Sequence, residues 1–284
     1  MSPISQPNPE PGAGLPMGVH RIDTGTCELL RDLDRERAYL LMINGMESSY
    51  IDLDDPWLLD FEYLRWMAAF IDDAIAPTEE LRVVHLGAAG CTMVRYLLAC
   101  RPGSQHVAVD IDAELLRLVT AWFALPAFPQ LDVRIGDARS VTASLPDDSC
   151  DVIIRDVFAG PTTPTALTTV EFTELTRQKL RAGGMYLLNC ADHPDLTLAR
   201  KEASTVSSVF AHVAMCADPS MLKSRRRGNV VIVGSDNPIG GENLAQILLA
   251  GAVPAQLWQQ DRVRAFGRGY APLRDSSDGY SAKA

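Results

Sequence analysis

Apolar residues follow two different spacings along this chain. Between residues 58 and 75 they recur every three or four positions, which predicts a helix with one buried face. Ahead of that stretch, the apolar run 38–43 is followed by Asn44-Gly45, a dipeptide typical of a tight β-hairpin turn, and the second arm would be 46–53. The sequence therefore predicts a small N-terminal antiparallel β region.

From Leu81 onward, strand-like and helix-like stretches alternate. The predicted parallel strands are 82–86, 106–111, 131–135, 151–156 and 185–190, with helices from about 91 to 99 and at 113–123, 169–180 and 196–210. Two more strands, 213–216 and 229–233, are joined by a short link and predict an antiparallel pair at the sheet edge. Alternating βα units with short connections predict an α/β fold with a doubly wound, mostly parallel Rossmann-like sheet.

Composition and charge argue against nucleic-acid binding and membrane association. Of the 284 residues, 47% are hydrophobic and 22% are charged, which is typical of a globular protein. The formal net charge of −10 argues against a nucleic-acid partner, whose phosphates would require clustered Lys and Arg. No apolar stretch approaches the roughly 20 residues that span a bilayer, so we expect no membrane association and a cytoplasmic location.

The six cysteines lie far apart, without a Cys-x-x-Cys pair or a histidine at ligand spacing. Neither a metal site nor a disulfide framework is predicted, and we interpret the cysteines as reduced, mostly buried small hydrophobes.

Candidate chemistry starts at the turn after the first parallel strand. Gly87-Ala88-Ala89-Gly90 is a run of small residues that would let a ligand approach the backbone closely, although it matches neither a dinucleotide-binding nor a phosphate-binding glycine motif. Asp110, Asp137 and Asp156 end the next three strands. Each aspartate alone is better explained as a helix cap or turn former than as a site residue.

Together these aspartates indicate a ligand site. Parallel strands bring their carboxyl ends to one crevice, so the three carboxylates should converge beside the small-residue turn. An acid about 20 residues after the turn is placed to bind ribose hydroxyls. We expect a nucleoside that carries hydroxyls, an amino group or a positive charge, because several carboxylates would repel a bare phosphate.

Several segments resemble the spermidine synthase family of aminopropyltransferases. They are Val109-Asp110-Ile111-Asp112, Gly136-Asp137-Ala138-Arg139, the strand 151–156, Leu167-Thr168-Thr169-Val170-Glu171-Phe172 and Leu180-Arg181-Ala182-Gly183-Gly184. The hairpin at Asn44-Gly45 resembles that family's N-terminal β domain. The resemblance covers about residues 38–235, and it implies a sheet of the methyltransferase type.

The resemblance implies roles for individual residues. Gly87, Asp110, Ile111, Asp137 and Ala138 would bind the donor, decarboxylated S-adenosylmethionine or S-adenosylmethionine itself: Asp110 the ribose, Asp137 and Ala138 the adenine, and Gly87 the thioether side. Asp156 takes the place of the catalytic carboxylate. An alkylamine has a pKa of about 10, so the amine acceptor must lose a proton before it attacks, and Asp156 is the candidate base.

The chain departs from the family where the acceptor would bind. Gly90 and Ala159 occupy positions that are acidic in the family, Ser48 replaces a Gln, Leu58-Leu59 replaces a Tyr-His pair, and Arg225-Arg226-Arg227-Gly228 replaces Tyr-Pro-Ser-Gly. The arginine run is either a solvated loop or part of the acceptor site, where it would repel a diammonium and favour an anionic group. Loop 159–166 has the Gly, Pro and Thr content of a mobile lid.

These features divide the chain into four parts. Residues 1–17 are predicted to form a disordered leader, 18–57 the N-terminal β-hairpin region, 58–240 the Rossmann-like nucleoside-binding catalytic domain, and 241–284 a C-terminal helix and a tail that is flexible from about Arg274. We also expect a homodimer.

Three functions stay open at this point. The first is an aminopropyltransferase that acts on an amine, with putrescine expected to be a poor acceptor. The second is an S-adenosylmethionine-dependent methyltransferase on the same scaffold, and the third is a catalytically silent nucleoside-binding homologue. The fold alone does not decide among them.

Overall fold

The computed structural model describes residues 14–276 and begins with a four-stranded antiparallel sheet in the order β1-β2-β3-β4. Its strands are β1 (Gly18–Ile22), β2 (Gly25–Arg31), β3 (Ala38–Ile43) and β4 (Met46–Asp52). At the predicted hairpin turn, Asn44 and Gly45 both have positive φ, 51° and 77°. Two successive positive φ values define the tight turn that an Asn-Gly dipeptide favours, so the predicted hairpin is confirmed.

The rest of the chain alternates helices with the strands of a second sheet. The helices are α1 (Glu62–Ala74), α2 (Thr92–Cys100), α3 (Ala113–Phe123), α4 (Ala138–Ser144), α5 (Val170–Lys179), α6 (Thr197–Val209), α7 (Pro219–Leu222), α8 (Glu242–Ala250) and α9 (Gln260–Gly267). The strands are β5 (Arg82–Leu86), β6 (Gln105–Asp110), β7 (Leu131–Ile135), β8 (Cys150–Arg155), β9 (Leu180–Asp192), β10 (His212–Ala217), β11 (Gly228–Ser235) and β12 (Gln256–Trp258).

The second sheet has eight strands in the order β12-β10-β11-β9-β8-β5-β6-β7. Strands β5 to β9 pair in parallel, and β10 to β12 complete the sheet in antiparallel pairs beside β9. The chain runs outward from β5 to β7 and then returns to place β8 on the other side of β5. Ligands bind at such a reversal, at the carboxyl ends of the strands. The predicted doubly wound, mostly parallel fold with a small N-terminal β region is confirmed.

Apolar side chains fill the space on both faces of the large sheet. Strand β8 is buried at every position, as its continuous apolar sequence predicts for a central parallel strand. The cysteines are all free and five of the six are buried, which agrees with their interpretation as small hydrophobes. Trp66, Trp122 and Phe123 also belong to the core.

Asp112 joins the N-terminal sheet to the main domain. Its buried carboxylate caps α3 by accepting a hydrogen bond from the Leu115 N–H at 2.7 Å. It also accepts hydrogen bonds from the backbone N–H groups of Asp23 and Thr24 and from the Thr24 hydroxyl. Burial pushes the pKa of Asp112 upward, but these hydrogen bonds outweigh it and lower the pKa. The turn between β1 and β2 is thereby fixed beside the carboxyl end of β6.

The C-terminal part differs from the prediction of one helix and a flexible tail. Residues 242–267 form two helices with the edge strand β12 between them, and β12 pairs with β10 in the main sheet. Residues 271–276 then lie against α5, where the Val170 N–H donates to the Leu273 carbonyl at 2.8 Å. Arg274 and Asp275 form hydrogen bonds with α4 and α5, and the flexibility predicted from Arg274 onward stays a prediction.

The rest of that prediction and most of the predicted leader lie outside the described residues, in 277–284 and 1–13. Within residues 14–276, no helix is long and apolar enough to cross a membrane.

Candidate active site

A cavity of about 1390 Å³ opens at the carboxyl ends of the parallel strands, between the two sheets. Every residue that the sequence singled out for donor binding or catalysis lines it: Gly87, Asp110, Ile111, Asp137, Ala138 and Asp156. They come from the turns after β5, β6, β7 and β8, four neighbouring strands of the sheet. The predicted convergence of carboxylates is therefore observed.

The small-residue turn after β5 forms the middle of the cavity. Gly87 has a φ of 82°, and a Cβ at this position would collide with the backbone carbonyl of Asp156. Asp156 in turn donates its N–H to the Leu86 carbonyl at 2.9 Å, because β5 and β8 are paired neighbours. A glycine is required at 87, and it brings the turn directly against the candidate catalytic residue.

Asp110 ends β6 with its carboxylate partly exposed to the cavity. The Ala89 N–H donates to one carboxylate oxygen and the Asp112 N–H to the other, each at 3.1 Å. Burial raises the pKa of Asp110, and these backbone hydrogen bonds oppose the rise. A carboxylate fixed in this way keeps acceptor capacity for the hydroxyl groups of a ligand.

The side of the cavity at β7 is built on the first turn of α4, a helix that the sequence patterns did not predict. Asp137 caps this helix by accepting a hydrogen bond from the Ser140 N–H at 2.8 Å, and Ala138 is buried in its first turn. Ile111 also lines the cavity and is 55% exposed. An apolar surface beside a capped helix suits a flat heterocycle.

Asp156 accepts two side-chain hydrogen bonds in the cavity. The Tyr63 hydroxyl donates to one oxygen at 2.7 Å, and the Asn189 amide donates to the other at 3.0 Å. Burial raises the pKa of Asp156, whereas both hydrogen bonds and the neighbouring Arg155 lower it. Burial and the charge of Asp156 hold the pKa of Tyr63 well above its usual value, so the phenol stays protonated and keeps donating.

A buried ion pair next to Asp156 in the sequence holds the surrounding elements together. Arg155 and Glu202 are both about 1% exposed and form two hydrogen bonds, at 2.8 and 3.0 Å. Arg155 also donates to the backbone carbonyls of Leu167 and Asn189. One guanidinium thus ties together helix α6, the strand that carries Asn189 and the 3₁₀ turn at the end of the loop that follows Asp156.

The region where the sequence departs from the family lies between the hairpin and β11. Gly90 is buried under the hairpin, where its N–H donates to the Ser49 hydroxyl at 3.0 Å. Ser48 and Ala159 line the cavity, as their alignment with acceptor-site positions implies. Of the arginine run, only Arg227 lines it; Arg226 pairs with Asp218 at 3.4 Å instead.

Several lining residues were missed by the sequence reasoning. Tyr63 lies on the buried face of α1, and its single hydroxyl among apolar neighbours was the available signal. Asn189 is likewise the polar residue in the apolar run of β9. Glu47 and Glu62 also line the cavity, and Glu62 accepts a hydrogen bond from Asn229 at 3.2 Å. The cavity therefore has acidic side chains at positions other than those that are acidic in the family.

Over the described range 14–276, no group of three or more His, Cys, Asp or Glu side chains is placed to hold a metal ion. The cavity combines a close-approach glycine, carboxylates held by backbone N–H and side-chain amide groups, and two exposed arginines, Arg227 and Arg274. These features suit an organic ligand with hydroxyl and amino groups.

Known proteins similar to this chain include a probable spermidine synthase and two polyamine aminopropyltransferases. A solved structure of a probable spermidine synthase from Corynebacterium glutamicum matches with a TM-score of 0.87 and 42% identity, covering 93% of this chain and 98% of that one. A polyamine aminopropyltransferase from Chromobacterium violaceum is 28% identical over 141 residues, which are 50% of this chain and 53% of the relative. A probable polyamine aminopropyl transferase from Bifidobacterium longum is 30% identical over 181 residues, 63% of this chain and 39% of the relative.

The matched regions therefore span about half or less of these two curated relatives. No protein-family model matches the chain.

Proposed function

Because the chain belongs to the spermidine synthase family, we propose that it is a transferase that moves an aminopropyl group from decarboxylated S-adenosylmethionine to an amine acceptor. The observation that carries the proposal is Asp156, a carboxylate at the end of a central parallel strand whose two oxygens are held by Tyr63 and Asn189. The carboxylate faces the cavity that also contains the candidate nucleoside-binding residues.

The proposed chemistry assigns one proton transfer to Asp156. An ammonium group has no free electron pair, so the acceptor must first give a proton to a base. The neutral nitrogen then attacks the aminopropyl carbon beside the sulfonium, the carbon–sulfur bond breaks, and methylthioadenosine leaves with the electron pair. A carboxylate whose pKa is raised by burial is a stronger base than one in water, which favours Asp156 for this step.

The donor would be held mainly by the turns after β5, β6 and β7. Asp110 would bind the ribose hydroxyls, Ile111 and Ala138 would contact the adenine together with Asp137, and Gly87 would lie beside the sulfur. The support for these roles is their shared position around one cavity and the fixed geometry of the two carboxylates.

Product analysis of Asp156→Asn against wild type tests the function. The amide keeps the shape but cannot take the proton, so we expect normal methylthioadenosine binding and transfer reduced by about 100-fold or more. Wild-type turnover in Asp156→Asn would remove this residue from the mechanism. A matched control is Asp54→Asn, since Asp54 is an exposed partner of Arg37.

A methyltransferase is the second candidate, because Gly90 offers no acid that would distinguish the two donors. The hairpin covers Gly90 so closely that this position has no room for an acidic side chain, and S-adenosylmethionine and its decarboxylated form differ only in the carboxylate at the methionine end. Assays with S-adenosylmethionine and with its decarboxylated form, each run with a panel of amines, distinguish the candidate functions. Methylthioadenosine indicates aminopropyl transfer, S-adenosylhomocysteine indicates methyl transfer, and donor binding without either product indicates a silent homologue.

For the acceptor, we propose an amine that also bears an anionic group. Arg227 lines the cavity and forms no ion pair within residues 14–276, while Glu62 can meet an ammonium on the same side. An arginine holds a carboxylate in a forked pair, whereas it repels a diammonium. Ornithine should therefore outcompete putrescine, and Arg227→Gln should reduce that preference. Efficient use of putrescine at low concentration by wild type would contradict the proposal.

The homodimer and the cytoplasmic location expected from the sequence stay predictions. The native mass measured by light scattering tests the first of them.

A further inference from the structure

The C-terminal segment 271–276 returns from α9 to the rim of the cavity. Its backbone is held on both sides at Leu273, whose carbonyl accepts from the Val170 N–H at 2.8 Å and whose N–H donates to the Thr205 hydroxyl at 2.9 Å. Residues 274–276 then line the cavity. A segment without helix or strand is thus fixed across the first turn of α5.

Asp275 connects this segment to helices α4 and α5. Its carboxylate accepts two hydrogen bonds from the Arg139 guanidinium, at 2.7 and 2.5 Å, and its N–H donates to Glu171 at 3.0 Å. The side chains of Arg139 and Asp275 are only 13% and 22% exposed. A forked, largely buried pair of this kind is stronger and more directional than a surface ion pair.

Arg139 is placed to carry this contact to the ligand site. It follows Asp137 and Ala138 in the first turn of α4, and it also donates to the Ala166 carbonyl at 3.1 Å. Ala166 belongs to the loop after Asp156, and both Ala138 and Ala166 line the cavity. One guanidinium therefore joins the C-terminal segment, the candidate adenine-binding turn and the loop.

We propose that Asp275 is a positioning residue for nucleoside binding, which closes the cavity at the β7 side by holding Arg139 between α4 and the loop. The inference rests on the proposed function, since it takes the ligand of this end of the cavity to be the adenosyl group. Arg139 lowers the pKa of Asp275, so the carboxylate is charged and the pair persists at neutral pH.

Calorimetric binding of methylthioadenosine to the full chain tests the proposal. Asp275→Asn keeps the size of the side chain but removes its charge, and we expect the Kd to rise about three- to tenfold, the range for residues that tune binding without touching the ligand. Arg139→Lys keeps the charge but loses the fork, and it should raise the Kd in the same direction. The donor KM should rise with the Kd while kcat changes little.

Asp236→Asn is the matched control, because Asp236 pairs with Arg177 at 2.8 Å away from the cavity. The proposal is supported if Asp275→Asn and Asp236→Asn both lose thermal stability but only Asp275→Asn raises the Kd for methylthioadenosine. The proposal is overturned if Asp275→Asn folds and binds methylthioadenosine with wild-type affinity. If Asp275→Asn does not fold, wild-type affinity in Arg139→Lys overturns it. If wild type itself does not bind methylthioadenosine, the proposed function fails, and this inference fails with it.

Discussion

Replacing Gly90 with alanine should destabilise the protein, because β4 occupies the space that the new methyl group needs. The added Cβ would lie 2.6 Å from the Ser49 Cβ, 2.8 Å from the Ser49 Oγ and 2.9 Å from the Ile51 Cδ1. Gly90 does not have a positive φ, so the expected cost comes from contact with the hairpin and not from backbone strain. The substitution therefore measures how tightly the N-terminal sheet covers the nucleoside turn.

The magnitude follows from three opposing contributions. Overpacking a closely packed site costs about 1–3 kcal/mol. If the hairpin moves away, the Gly90 N–H loses its 3.0 Å hydrogen bond to Ser49, which adds about 1 kcal/mol. Alanine also restricts the conformations of the unfolded chain, which stabilises the folded state by about 0.4–1 kcal/mol. The free energy of unfolding should therefore fall by about 1–3 kcal/mol.

Urea denaturation at pH 7 measures this change, with Gly241→Ala as the control, since a Cβ at Gly241 meets nothing within 4 Å. Adding Ser49→Gly removes two of the three close contacts and should make Gly90→Ala nearly neutral, a coupling of about 1 kcal/mol or more. If Gly90→Ala changes stability by less than about 0.5 kcal/mol, the hairpin yields easily. The steric reason given for the missing acid would then be wrong.

Three further predictions concern charged and titrating groups. Asp110→Ala should weaken methylthioadenosine binding about tenfold or more, because charge-assisted hydrogen bonds to the ribose are lost, and unchanged affinity in calorimetry would refute the ribose assignment. Tyr63→Phe removes a hydrogen bond that lowers the pKa of Asp156, so the acid limb of the pH–rate profile should move to higher pH; an unmoved limb would show that Asp156 does not govern it. Burial lowers the pKa of His106 to about 4 from an ordinary 6.5, and its ring lies 3.0 Å from His85. The unfolded state therefore binds the proton first, and wild type should lose about 2–3 kcal/mol more stability than His106→Asn as pH falls from 6.5 to 4, whereas parallel denaturation curves would contradict this.

Local pattern was enough to locate the parallel strands and the residues at their carboxyl ends. Asp110, Asp137 and Asp156 were found because parallel pairing makes strand ends meet, a consequence of topology that does not require knowledge of any side-chain contact. The Asn44-Gly45 turn was equally accessible, since its positive φ values are a property of those two residues.

The partners of these residues could not be found in this way, because they come from elements distant in sequence. Tyr63 is 93 positions from Asp156 and shares the periodicity of a buried helical face, so its hydroxyl is distinguished only once α1 is placed beside β8. Asp275 is 136 positions from Arg139, in a segment whose composition resembles a tail. Composition describes how much apolar surface a segment can bury, whereas this segment is held by hydrogen bonds and one forked ion pair. A weak apolar pattern therefore did not exclude fixed contacts for residues 271–276, and this segment at the rim of the cavity is held by polar contacts that only the folded structure brings together.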